Sequence, residues 1–151
     1  MPVQALKQLL DENRVKYVTV THSLAYTAQE IAASAHIPGR ELAKTTIVKV
    51  DGKLAMAVLP ASHMVHVKRL KEALGAHSVE LANESEFRHA FPGCELGAMP
   101  PFGSLYGMDV YVEQSLTEDE EIAFNAGSHT ELIRMGYADF AKLAKPEVIR
   151  F

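Results

Sequence analysis

Thr45-Thr46-Ile47-Val48-Lys49-Val50-Asp51-Gly52-Lys53-Leu54-Ala55-Met56-Ala57-Val58-Leu59 reads as two apolar-rich runs joined by Asp-Gly. Asp-Gly between such runs is a strong hairpin signal, because a tight turn of that kind needs residues that tolerate positive φ. The stretch predicts strands over Thr45–Val50 and Lys53–Leu59, with Pro60 ending the second.

Working outward, the N-terminal side offers a helix and a strand. Val3, Leu6, Leu9 and Leu10 recur on one face, which predicts a helix from Pro2 to about Asn13. Lys16–Thr21 is β-branched and aromatic and predicts a strand. Thr27-Ala28-Gln29-Glu30 has the capping-box spacing, so a helix is expected from there to about Ala35, stopped by Ile37-Pro38-Gly39. Beyond the hairpin, Val67–Leu74 predicts a helix with Gly75 as its C-terminal stop. Val79–Leu81 is a short strand, and Asn83-Glu84-Ser85-Glu86 opens a short helix. Strands follow around Val110–Val112, over Glu121–Ala126 and over Thr130–Arg134, with Gly127 and Ser128 turning between the last two. Tyr137–Ala144 predicts a helix and Val148–Phe151 a final strand. There is no strict βαβ alternation, no repeat and no dividing linker. The pattern predicts one α/β domain of the α+β kind over 1–151, a mixed sheet with packed helices.

The 151 residues suffice for a real core, and their net charge is −4. Binding of nucleic acid by bulk electrostatics calls for a basic chain, so any such contact here is local or shared with a partner. No apolar run approaches the ~20 residues of a membrane helix. The N-terminus carries no signal-peptide pattern. The single cysteine, Cys94, forms no internal disulfide and fits a reducing cytoplasm.

Candidate chemistry is sparse. Gly-x-Ser-x-Gly, His-Glu-x-x-His, Cys-x-x-Cys and the phosphate-binding Gly-x-x-x-x-Gly-Lys are all missing. His63 and His66 have no acidic or Cys neighbour in sequence to complete a metal set. Cys94 has no histidine placed in sequence to activate it and reads as a packed thiol. The stretch Glu95-Leu96-Gly97-Ala98-Met99-Pro100-Pro101-Phe102-Gly103 stands out more. Proline stiffens its centre, glycine frees its ends, and small residues let a ligand reach the main chain. It is either a rigid turn or a recognition loop. Lys44 is either a solvated lysine at a strand end or a cation held where a phosphate or oxyanion would sit. Asn125-Ala126-Gly127-Ser128-His129 is a small-residue turn. Lys49 and Lys53 on the hairpin, with Lys68, Arg69 and Lys71 on one helix, are a solvated face or a footprint for phosphates.

In this order, Thr27-Ala28-Gln29-Glu30, Lys44-Thr45, Gly97-Ala98-Met99-Pro100-Pro101 with Phe102-Gly103, and Asn125 to His129 resemble the YbaK/prolyl-tRNA-synthetase-associated family of aminoacyl-tRNA editing domains. The similarity covers nearly the whole chain and is closer to free-standing members than to the synthetase insertion. It implies a compact fold around a central mixed, curved sheet. It implies hydrolysis of a wrong amino acid from tRNA, usually tRNA for proline, with no cofactor and no metal. The partners implied are the acceptor end of aminoacyl-tRNA and prolyl-tRNA synthetase, with no membrane. Lys44, Gly97 and Pro101 take the catalytic positions. Thr27, Ala98, Met99, Pro100, Phe102, Gly103, Asn125, Gly127 and His129 take substrate-binding ones. The turn holding Asn125 and His129 is more like the alanine-editing branch than the cysteine-editing branch.

Such an enzyme is physically sensible. A synthetase pocket rejects a smaller apolar side chain weakly, by about 1–3 kcal/mol per methylene, so a second, smaller pocket completes the sieve. The ester is activated and needs no strong nucleophile; a positioned water, a ribose hydroxyl and a pre-organised backbone suffice. Two other readings keep the fold: a tRNA- or synthetase-binding module without turnover, and a hydrolase of a small free ester.

Overall fold

The computed structural model describes residues 4–21, 37 and 40–151. The helix expected from Thr27 falls outside them, as does Thr27 itself. Helix α1 spans Gln4–Glu12 and buries Leu6 and Leu10. Strand β1 follows at Tyr17–Thr21.

The hairpin forms as its sequence dictates. Strand β2 (Ala43–Val50) pairs antiparallel with β3 (Lys53–Pro60), Val50 opposite Lys53 and Lys44 opposite Leu59. Asp51 and Gly52 both take positive φ, 50° and 84°, which gives the turn a twist matching that of the strands. Asp51 also ties the tip to the next strand: its Oδ1 accepts the Ser78 N–H at 2.8 Å, and its own N–H donates to Ser78 O at 2.9 Å.

Helix α2 (Val67–Leu74) ends at Gly75, whose left-handed φ of 63° lets the N–H groups of Gly75 and Ala76 return to Glu72 O and Lys71 O. Strand β4 (Val79–Leu81) leads to α3 (Glu84–Phe87), capped by a reciprocal Asn83–Glu86 box. Strands β5 (Asp109–Glu113), β6 (Glu121–Ser128) and β7 (Glu131–Gly136), helix α4 (Tyr137–Ala144) and strand β8 (Glu147–Ile149) complete the chain.

The class is the expected mixed α+β, but hydrogen bonding divides the sheet in two. A mixed sheet has the order β4-β2-β3-β5-β8, and an antiparallel one the order β1-β7-β6. Among the described residues, one parallel bridge, Leu42 with Ala123, joins their hydrogen bonding, after which β2 leaves β6. Gly127 and Ser128, expected to form a turn, belong to β6. A register shift between Asn125 and Ser128 bulges the strand there, so the chain reverses later, at His129 and Thr130.

The largest core gathers Ile47, Met56, Val58 and Val112 from the mixed sheet and Ile122, Phe124, Ile133 and Met135 from the antiparallel one, with Leu6, Leu10 and Phe140 from helices. Phe102 sits within it, its ring 5.5 Å from Phe124 and 5.4 Å from Phe140. A second cluster, with Val48, Ala55, Ala57 and Leu59, lies on the opposite face of the mixed sheet beneath Leu70 of α2. That double covering is why Ala55 to Pro60 is buried without alternation.

Candidate active site

The loop from Glu95 to Pro101 hangs on the end of β6. The Glu95 N–H donates to Gly127 O at 2.8 Å, and the Gly127 N–H donates to Ala98 O at 2.9 Å. Buried His129 places Nε2 2.8 Å from Leu96 O. A carbonyl only accepts, so this nitrogen carries the proton and donates. The imidazole lies over Gly97, where a Cβ would meet Cε1 at 3.5 Å. Gly97 itself has φ +85°, which L-residues avoid.

One edge of β6 pairs with β7. The other bonds at two points, Ala123 N–H to Glu41 O (2.9 Å) and Gly127 N–H to Ala98 O. Asn125 lies between them. Leu42 and Ala123 pack in one cluster at the junction. Lys44 is two residues beyond Leu42 on β2, and Asn125 is two beyond Ala123 on β6. Alternation puts Lys44 on the face of Leu42 and Asn125 on the face of Ala123. Lys44 and Asn125 thus lie on the same side of the junction, and the Gly97 loop bonds to β6 beyond Asn125.

Both groups are underused by the protein. Lys44 is half-buried, desolvation lowers its pKa, and no carboxylate among the described residues pairs with it. Asn125 Oδ1 is buried and accepts no hydrogen bond among the described residues. A cation partly withheld from water at a rigid junction suits a ligand that brings negative charge.

A family model described as an aminoacyl-tRNA editing domain matches residues 22–143. The chain belongs to that family. The multifunctional Ser/Thr-tRNA deacylase ProXp-y of Escherichia coli K12 is 28% identical over 153 residues, taking in 98% of this chain and 91% of its own. Proline–tRNA ligase of Bacillus mycoides is 27% identical over 88 residues, which is 58% of this chain and 15% of the ligase. The crystal structure of the hypothetical protein APE2540 has a TM-score of 0.86 at 18% identity, with 97% of this chain and 98% of that one covered. A protein proposed as a trans-editing enzyme for prolyl tRNA synthetase has a TM-score of 0.80 at 18% identity, covering 96% and 92%. At such identities the structural likeness shows the fold.

Within this editing domain the residues singled out from sequence separate into groups. Gly97, Ala98, Gly127 and His129 are joined where the loop bonds to β6, and Lys44 and Asn125 each lie two residues beyond the Leu42–Ala123 bridge. Met99 and Phe102 turn their side chains into the core, 4% and 0% exposed, which leaves only their main chain to face a ligand. Pro100 and Pro101 are buried beside them. Gly103 is glycine for packing, since a Cβ there would lie 2.2 Å from Met108 O. The Asp51-Gly52 tip begins seven residues beyond Lys44, roughly 23 Å at the rise of a strand, so it lies far from the junction.

The basic residues divide likewise. Lys49 is held by Glu86 at 2.6 Å and Glu80 at 3.2 Å, and its pKa is raised chiefly by the Glu86 contact. That charge is already matched. Lys53 is at the tip. Lys68, Arg69 and Lys71 are exposed on α2. Arg69 lines an open cleft of about 910 Å³ with His63, His66, Glu113 and Arg150. The cleft shares a sheet face with Lys44: Lys44 is opposite Leu59, and Glu113 follows Val112, the partner of Val58. Arg150 carried no local signal in the sequence; the parallel pairing of β8 with β5 brings it there.

Cys94 is packed rather than poised. Its Sγ is 3.4 Å from the Tyr106 hydroxyl, and burial raises the thiol pKa. No group of three His, Cys, Asp or Glu among the described residues is placed to hold a metal.

Proposed function

We propose that the protein is a trans-acting aminoacyl-tRNA deacylase of the cytoplasm that removes a small, wrongly attached amino acid. The observation that carries this reading is the junction of β2 and β6: a partly desolvated Lys44 at the head of β2, beside a loop that His129 pins to β6. Water adds to the ester carbonyl, the bond to the ribose oxygen breaks, and that oxygen takes up a proton. The ammonium of Lys44 stabilises negative charge on the carbonyl oxygen or the terminal phosphate. The main chain of Gly97–Pro101 orients the aminoacyl group, and the junction supplies a position fixed by strands.

Alanine on tRNA for proline is the narrower reading from the sequence resemblance. The name of the Escherichia coli relative adds serine and threonine. The class proposed is therefore alanine and the small hydroxyl-bearing side chains, with prolyl-tRNA synthetase as the partner that makes the error and supplies RNA affinity. Incubating the pure protein with a panel of aminoacyl-tRNAs tests it. Release of alanine, serine or threonine with the prolyl ester spared is expected. Rapid hydrolysis of prolyl-tRNA, or hydrolysis of small free esters without need of tRNA, would overturn it.

A further inference from the structure

We infer that the open cleft between α2 and the residues after β8 is a binding site for a nucleoside 5′-monophosphate unit, its phosphate held by Arg69 and Arg150. The unit is one residue of an RNA strand or a free nucleotide. The chemistry is the same for both, and only the first source rests on the deacylase reading.

The cleft encloses about 910 Å³, room for a small molecule rather than a lone ion. Its two arginines come from different elements. Arg69 lies on α2, and Arg150 arrives through the pairing of β8 with β5, where Glu113 stands opposite Ile149. Among the described residues the Arg69 side chain makes no hydrogen bond or ion pair. Arg150 gives only its Nε, to Gln114 Oε1, so both its Nη groups stay free. A guanidinium fixed at one nitrogen with its fork open is arranged for two-point contact with phosphate oxygens.

Two carboxylates share the cleft, and neither neutralises that pair. Glu113 Oε2 is taken by the N–H of Ser115 at 2.7 Å and by its hydroxyl. Glu72 is exposed one turn beyond Arg69 and pairs with neither arginine among the described residues. Lys49 is the contrast, since Glu80 and Glu86 already match its charge. His63 and His66 add ring donors beside the arginines. The first turn of α2 starts here with no acidic residue and no side-chain cap from His66, so it adds to the positive potential the arginines set.

An apolar side distinguishes a nucleotide from a simple anion. Ala73 and Phe151 line the cleft, and Met64, 76% exposed, stands open at it. A methionine side chain is flexible and polarisable and packs readily on a flat ring. Phosphate on the arginines and base on the Met64 side fill both halves. Phe151 belongs to the buried cluster that holds Leu59, and Leu59 is the cross-strand partner of Lys44. The cleft is thus on the Lys44 face of the mixed sheet, and a strand bound at Lys44 has it next on that face.

Isothermal titration of the full chain with adenosine and cytidine 5′-monophosphate, and with inorganic phosphate, tests the site. Saturable nucleotide binding is expected, tighter than that of phosphate and weakened at least about tenfold in Arg69→Gln and in Arg150→Gln. Arg150→Lys keeps the charge without the fork and should recover part of the affinity. Lys44→Met should bind the nucleotides as the wild type does, because the cleft is separate from the junction. Should a glutamine variant melt below the wild type, shifts of the His63 and His66 imidazole resonances on adding nucleotide to the wild type replace it. Absence of saturable binding overturns the inference. So does phosphate bound as tightly as the nucleotides, affinity unchanged in both glutamine variants, or affinity lost in Lys44→Met. Uncharged tRNA at low salt separates the sources: displacement of the nucleotide assigns the strand, and coexistence assigns the free nucleotide. None of these readouts needs turnover, so failure of the deacylase reading leaves the test intact.

Discussion

His129 Nε2 donates to Leu96 O across 2.8 Å, joining residues 33 apart in the chain. With the two main-chain bonds between Gly127 and the Glu95–Ala98 segment, it makes the loop an extension of β6. The nitrogen is committed to that carbonyl, so His129 acts here as a positioning residue. Its ring sets where Gly97 lies.

His129→Ala should therefore release the loop. Leu96 O loses its donor, at a cost of about 1–3 kcal/mol in stability. Deacylation should fall at least about tenfold, the scale expected when positioning is lost. Hydrogen exchange at the Glu95 and Gly127 amides should quicken. His129→Gln retains a donor and should recover part of the activity. Unaltered exchange at those amides would show that the loop holds itself.

Gly97 and Gly103 predict opposite responses to alanine. At Gly97 the added Cβ meets only the imidazole at an ordinary 3.5 Å, and the penalty is the positive φ, about 1 kcal/mol. Activity should suffer more than stability, because the loop must shift. At Gly103 the Cβ would press to 2.2 Å of a backbone oxygen and 2.7 Å of Val110 Cγ2. The main chain has to move, so Gly103→Ala should lower the melting temperature well beyond Gly97→Ala. Thermal melts of the two side by side check the order.

Charge reversal separates the basic residues. Lys68→Glu with Arg69→Glu should raise KM for aminoacyl-tRNA and flatten its dependence on salt, with kcat little changed. Lys49→Glu should leave the salt slope alone, because that lysine is already occupied by Glu80 and Glu86. Steady-state kinetics over a range of salt concentrations decide this. If the α2 pair leaves KM unchanged, that helix face is only solvated.

Local signals read well from sequence where local chemistry dominates. The Asp51-Gly52 turn, the Gly75 stop and the Asn83–Glu86 box each follow from a few neighbouring residues, and each forms. The division of the sheet was not legible, because it depends on where β2 meets β6, a pairing across about 80 residues that leaves no periodic trace. The direction of the loop side chains was hidden for a related reason. Phe102 in a Pro-Gly loop looks available, and only the meeting of Phe124 and Phe140 takes it into the core. The place of Lys44 near the start of β2 was readable, while its desolvation was not.

Lys44 yields the prediction that bears most directly on catalysis. Burial lowers its pKa below 10.5, so the folded chain holds that proton less tightly than the unfolded chain. Between the lowered value and 10.5 the unfolded state binds more protons, and stability rises with pH. Below that window the ammonium costs the fold something, with no described carboxylate to offset it. Lys44→Met should therefore melt at or slightly above the wild-type temperature at neutral pH, and should lose the rise in stability near the lysine range. Deacylation should nonetheless fall at least about tenfold, or ~1.4 kcal/mol of transition-state stabilisation, because the charge acts on the developing oxyanion or the phosphate. Lys44→Arg keeps the charge on a planar, larger group and should restore only part of the rate. The deciding comparison is activity against melting temperature in the same preparation. A folded Lys44→Met protein with full activity would return Lys44 to the role of a solvated strand-end lysine.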